Sequence, residues 1–172
     1  MVARLAGFAT PELSAARVLE IGCGDGGNLL PLAYYHPAWS FVGVDPSGEA
    51  IRAAQEGKDI LGLTNITFVQ CDAEGAVREG PFDFVICHGV YSWVDPEERD
   101  SVLALAKDSL SPEGLFYLSY NTQPGWRARG LVRDRLRKRK LDAPAFEQAK
   151  ACLLYTSPSP RDQRGSRMPS SA

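Results

Sequence analysis

The feature that most restricts this chain is the run Arg17-Val-Leu-Glu-Ile-Gly-Cys-Gly-Asp-Gly-Gly-Asn28. A short apolar stretch, 18–21, meets a glycine-dense turn, and the turn opens into a helical pattern over 28–35. Strand, tight loop and helix start in that order make the first half of a nucleotide-binding βαβ unit. A strand of this kind is buried on both faces, so it demands parallel neighbours and helices above and below.

The rest of the chain supplies them. Apolar runs at 40–45, 66–70, 82–87 and 115–120 read as four more strands. Helical patterns fall at 47–61, 96–110 and 127–141, with a short helix at 74–77. Gly57 weakens the first of these and Gly62 ends it. Asp95 and Pro96 open the second as N-cap and first helical residue. Ser111-Pro-Glu-Gly114 reads as a turn, and Asn121 to Trp126 as a loop. In the lead-in, 1–16, Pro11-Glu-Leu-Ser is expected to belong to a helix. The result is an α/β, Rossmann-like, three-layer sandwich with a mainly parallel sheet, occupying 17–141, with 142–151 starting a further helix. At 44% hydrophobic residues the chain holds enough apolar material for one core.

The loop's charges bear on its ligand. Gly22-x-Gly24-x-x-Gly27 matches the dinucleotide fingerprint, yet Glu20 precedes it, Asp25 lies inside it, and no Lys or Arg occurs from Glu20 to Tyr35. A pyrophosphate wants bare N–H groups at a helix start, and an acid in the cradle repels it. S-adenosylmethionine has no phosphate and is net cationic through its amino and sulfonium groups, so carboxylates suit it. Three further positions agree. Asp45 ends the second strand, where an acid accepts hydrogen bonds from ribose hydroxyls. It also precedes a good helix start, Pro46-Ser-Gly-Glu, and capping that helix is its plain alternative role. Asp72 follows the third strand, with a loop or cap role as its alternative. His88 ends the fourth strand, whose start carries Asp83. Ligands of open α/β sheets bind outside the carboxyl ends of the strands, where strand order reverses.

Glu20-Ile-Gly-Cys-Gly-Asp-Gly resembles the first motif of the class I S-adenosylmethionine-dependent methyltransferases. The resemblance implies a cofactor site for S-adenosyl-L-methionine built from Glu20, Gly22, Cys23, Gly24, Asp25, Asn28, Asp45, Pro46, Asp72, Ala73 and His88. Asp72 would receive the adenine amino group. His88-Gly-Val-Tyr-Ser-Trp-Val94 and Ser119-Tyr-Asn-Thr-Gln-Pro-Gly-Trp126 are similar to a narrower group. Those are bacterial methyltransferases with a C-terminal regulatory domain, among them rickettsial protein-lysine methyltransferases. By this resemblance the methyl acceptor is a protein lysine or a small molecule, and the sheet is truncated before strands six and seven, leaving the fragment inactive. Tyr91 and His88 are the candidates to orient or deprotonate the acceptor. Tyr91, Trp93, Tyr120 and Trp126 would rim its pocket and hold a lysine cation. For Trp93 and Trp126, packing beneath loops is the alternative.

Two other functions compete. An NAD-dependent oxidoreductase is disfavoured by Asp25 and by the missing Tyr-x-x-x-Lys. A non-catalytic module would sense the donor, or scaffold a partner through the basic helix at 127–141. That helix lacks interleaved aromatics, so a solvated face is expected and a nucleic-acid partner is not. No apolar run is long enough for a membrane span, no leader pattern is visible at 1–16, and a cytoplasmic location is expected. Cys23, Cys71 and Cys87 lack metal-ligand spacing and read as reduced core residues. Finally, 152–172 departs in composition. Cys152-Leu-Leu-Tyr-Thr-Ser-Pro-Ser-Pro-Arg-Asp162 resembles the translation of a transposon-end sequencing adapter, so the tail is expected to be non-native and disordered. Without it the chain carries 16 basic and 20 acidic residues, a mildly acidic balance.

Overall fold

Alternating strands and helices close into a five-stranded sheet in the order β3-β2-β1-β4-β5, with every neighbouring pair parallel. The computed structural model describes residues 2–71 and 80–122. The strands are β1 (Arg17–Ile21), β2 (Ser40–Asp45), β3 (Ile66–Gln70), β4 (Phe82–Cys87) and β5 (Leu110–Leu118). The helices are α1 (Val2–Leu5), α2 (Leu29–Tyr35), α3 (Gly48–Leu61) and α4 (Pro96–Ser109). The expected short helix at 74–77, the basic helix at 127–141, the further helix from 142 and the tail at 152–172 lie outside the described residues.

Strand alternation sorts the core into two layers. Leu19, Ile21, Val42, Val44 and Val85 face one way and pack with Val102, Leu105 and Ala106 of α4. Val18, Phe41, Ile66 and Phe68 face the other way and pack with Leu29 and Ala33 of α2 and Ala54 of α3. Both sides of β1 are therefore dry, as a central parallel strand requires. Gly57 has a packing reason in α3, because a Cβ there would sit 2.7 Å from Leu30. The glycine lets α2 lie close.

Polar side chains fix the strand starts and helix ends. Asp83 accepts a hydrogen bond from the Arg17 N–H at 2.8 Å and one from the Ser111 hydroxyl at 3.4 Å. It ties β1 and β5 to β4 at the amino end, away from the loop. The Asn65 amide donates to the carbonyls of Ala33, His36 and Trp39 at 3.0, 3.1 and 3.1 Å. These carbonyls lie at and beyond the end of α2, where a helix leaves its last carbonyls without intrahelical donors, and that of His36 also accepts the Trp39 N–H at 3.0 Å.

Three expectations are corrected. The lead-in helix is at Val2–Leu5, and 11–14 holds none. Gly7, at φ +82°, ends α1, and Pro11 has no N–H to continue a helix. The second correction is that α4 stops at Ser109 rather than 110, since Leu110 is already extended and pairs with Phe82. The expected turn at Ser111–Gly114 lies inside β5. It survives as an irregularity, because Phe82 pairs with Leu110 while Phe84 pairs with Leu115. Three residues more on β5 than on β4 are accommodated there, and turn chemistry becomes a bulge.

Candidate functional site

All five strands run the same way, so their carboxyl ends share one edge of the sheet. β1 is flanked by β2 on one side and β4 on the other, which makes its carboxyl end the switch point. Glu20 and the loop at 22–28 sit there, with Asp45 on the β2 side and His88 on the β4 side.

The loop is shaped by what surrounds it. Gly22 has φ +74°, and a Cβ on it would overlap the Val90 side chain just past β4. Gly26, at φ +78°, would place a Cβ 2.8 Å from Phe68. So the third strict glycine is Gly26 and not Gly27, whose φ is ordinary. The N–H groups of Gly22 and Cys23 donate to the Val44 carbonyl at 2.8 and 3.0 Å. The Gly24 N–H donates to Asp45 Oδ2 and the Ser47 N–H to Asp45 Oδ1, both at 2.9 Å.

Asp45 therefore brackets the loop against the entry to α3. It is not the helix cap: Ser47 is, its hydroxyl accepting from the Ala50 N–H at 3.3 Å. Pro46 keeps the preceding residue extended, so the helix begins later. The Pro46 carbonyl accepts from the Gln70 amide at 3.3 Å.

Glu20 is only 3% exposed. Its Oε1 accepts from the Asn28 amide at 2.9 Å, while Oε2 is buried with no hydrogen-bond partner among the described residues. Burial pushes its carboxyl up to about 7, and the Asn28 hydrogen bond offsets only part of that. Asn28 is the N-cap of α2 but spends its side chain on Glu20 instead of the helix. Asp25 is exposed, and its Oδ1 turns back to accept the Gly27 N–H at 3.1 Å. Its charge therefore acts from the rim. Cys23 is buried beneath the loop, and its thiol is pushed up to about 12 by burial, then by the charges of Asp45 and Glu20. Burial likewise raises Cys87 to about 11.

Beyond β4 and β5 the acceptor-side candidates separate into two groups. His88 is exposed, with Nδ1 3.0 Å from the Ser119 hydroxyl and its ring stacked on Tyr117 at 6.1 Å. Tyr91 is half-buried, edge-on to Tyr120 at 6.1 Å, with the Arg99 guanidinium 5.5 Å over its ring. No hydrogen bond or ring contact joins His88 to Tyr91 among the described residues. Trp93 is half-buried, and its backbone N–H donates to the Val90 carbonyl at 2.7 Å. Asp72, Ala73 and Trp126 lie outside the described residues. The Gly22–Val90 contact, Gly26, Arg99 and the Ser119 hydroxyl carry no local sequence signal, because each acquires its role from a partner on a different element.

A cavity of about 740 Å³ lies elsewhere, against the sheet face formed by Phe41, Phe84, Ile86 and Tyr117. Its lining is apolar. Among the described residues it lacks the convergent polar groups that fix a nucleoside, so the loop edge is the better site.

A parallel 3-2-1-4-5 order, a glycine loop on the first strand and an acid ending the second define a Rossmann-like, nucleoside-binding domain, and similarity to known proteins makes it a class I S-adenosylmethionine-dependent methyltransferase domain. The chain belongs to the methyltransferase domain family, whose consensus matches residues 18–114. It is 42% identical over 134 residues to the uncharacterized protein RP789 of Rickettsia prowazekii, a match covering 77% of this chain and 24% of that protein. It is 29% identical over 149 residues to the ribosomal RNA small subunit methyltransferase G of Yersinia pseudotuberculosis, covering 86% and 70%. Among solved structures, PKMT2 from Rickettsia typhi in complex with AdoHcy (S-adenosylhomocysteine) superposes with a TM-score of 0.69 at 32% identity. That match covers 91% of this chain and 32% of PKMT2. The chain thus spans about a quarter to a third of the length of RP789 and PKMT2.

Proposed function

We propose that this chain binds S-adenosylmethionine across the carboxyl ends of β1 and β2, and that its methyl group goes to a protein lysine placed beyond β4 and β5. The observation that carries the donor reading is Glu20. A carboxylate oxygen buried without a partner at the switch point fits a cationic ligand group and disfavours a pyrophosphate. The donor's ammonium is its natural complement. Asp45 spends one hydrogen bond per oxygen on backbone N–H groups, and each oxygen has a further lone pair for a ribose hydroxyl. Gly22, Cys23 and Gly24 bring backbone close to the donor. Pro46 flanks the ribose side, and Asp25 adds negative potential at the rim. By family resemblance Asp72 is assigned to the adenine amino group and Ala73 to the cofactor site.

When bound, the donor supplies an electrophilic methyl group on a sulfonium. The residues of this chain hold and orient it, and the acceptor's lone pair must arrive in line at about 3–3.5 Å. A lysine that arrives neutral needs no dedicated base. Similarity to PKMT2 supports a protein acceptor, as do the exposed rings of Tyr117 and Tyr120 along the β5 end. Arg99 already covers one side of Tyr91, which leaves Tyr120 the freer ring for a lysine cation.

The test, made on this domain within a longer chain that also carries the expected strands six and seven, is transfer of tritiated methyl from the donor to a cell extract separated into protein and RNA. Label in protein, recovered as methyl-lysine after hydrolysis, is expected. Label in RNA alone would replace lysine with a nucleic-acid acceptor.

A further inference from the structure

His88 and Ser119 meet across the carboxyl ends of β4 and β5, and Gly89 closes the arrangement. The Gly89 N–H donates to the Ser119 hydroxyl oxygen at 2.9 Å, and the Ser119 N–H donates to the Cys87 carbonyl at 3.0 Å. Ser119 Oγ lies 3.0 Å from His88 Nδ1. The hydroxyl is thus held from its backbone and through one lone pair. Its proton has a single acceptor among the described residues, the Nδ1 of His88. A hydroxyl has one proton and two lone pairs. If Nδ1 carried the proton, the Ser119 proton would have no partner among the described residues. If Ser119 donates to Nδ1, both groups are satisfied and the ring proton sits on Nε2.

We infer that Ser119 is a positioning residue that locks neutral His88 as the Nε2–H tautomer, so that His88 offers the acceptor substrate a hydrogen-bond donor and not a base. Stacking on Tyr117 fixes the ring plane from its other side. The complementary substrate group is an oxygen acceptor beside the methylated atom: a peptide carbonyl or a carboxylate. This assignment rests on the reading of the β4 and β5 ends as the acceptor side. It removes His88 from proton abstraction and leaves the nucleophile to arrive deprotonated.

The chain has two histidines, His36 and His88, so nitrogen NMR of the labelled full chain resolves both rings. His36 stacks on Trp39, remote from Ser119, and serves as the internal control. At alkaline pH, His88 is expected to show a protonated Nε2 and a bare Nδ1. Ser119→Ala should move it toward a mixture of tautomers, with His36 unchanged, and Ser119→Thr should restore the wild-type pattern. A protonated Nδ1 in the unmodified protein would overturn the inference, and that spectrum does not depend on whether the alanine variant folds. A Ser119→Ala spectrum identical to wild type would also overturn it. AdoHcy binding, measured on the same sample, is expected and should survive Ser119→Ala. Its absence from the wild type would sink the donor reading, while the spectrum alone judges the tautomer.

Discussion

Glu20 is a carboxyl group placed where its charge is unwelcome until something cationic arrives. Burial raises it from the ordinary 4.5 to about 7. The folded, ligand-free protein therefore keeps a proton that the unfolded chain releases between those values. Stability from this group is complete at the acid end and is lost as pH rises through about 7, a decline of order ~3 kcal/mol. Urea midpoints of wild type should fall over that window relative to Glu20→Gln, and parallel profiles would refute the account of Glu20. Gly22→Ala combines a left-handed backbone with an overlap on Val90, and about 2–4 kcal/mol of destabilisation is expected. Because strain and overlap are separate, Val90→Ala should recover part of the loss in thermal unfolding. No recovery would mean that Val90 does not set the loop's clearance. Cys23 and Cys87 are buried with thiols raised to about 12 and 11, so neither should react with iodoacetamide at mildly alkaline pH unless the chain is unfolded. At this scale the Glu20–Asn28 hydrogen bond and the place of Asp45 at the end of β2 were legible, because all three residues lie within or beside motif spacing. The Ser119 hydroxyl was not, since its bonds reach back roughly thirty residues to Gly89 and His88, and only strand pairing brings them together.

At the level of elements, periodicity was enough to find β1 to β5 and α2 to α4, because strands buried on both faces leave unbroken apolar runs. Where propensity met pairing, pairing won. Ser111-Pro-Glu-Gly114 has turn residues, but the β4 edge extends the strand past them and stores the turn as a bulge. The lead-in failed for another reason: a four-residue helix has too few periodic positions to register. Asn65 shows what no pattern reveals, since one amide holds three carbonyls around the end of α2. Two amide hydrogens serve three acceptors, so at least one bond is shared. Removing the side chain leaves those carbonyls short of donors, and Asn65→Ala should cost about 1–3 kcal/mol. An unchanged urea midpoint would show that water replaces it freely.

Across the whole molecule, one topological fact organises the chemistry. Strand order reverses at β1, and three acidic residues, the buried Glu20, the part-buried Asp45 and the exposed Asp25, gather at that end. Asp83 and Asn65 do the structural bracing elsewhere, away from the loop. Fold class and donor class were both readable early because the glycine loop demands a parallel sheet and the acids beside it select against phosphate. The acceptor was not readable, since the segments after β4 and β5, where its pocket is proposed, have sequences with no shared period. The most direct test is calorimetric titration of the full chain with AdoHcy and, separately, with NAD, repeated on Asp45→Ala. The account predicts heat of binding for AdoHcy alone, lost or much weakened when Asp45 no longer brackets the loop. Binding of NAD with none of AdoHcy would contradict it.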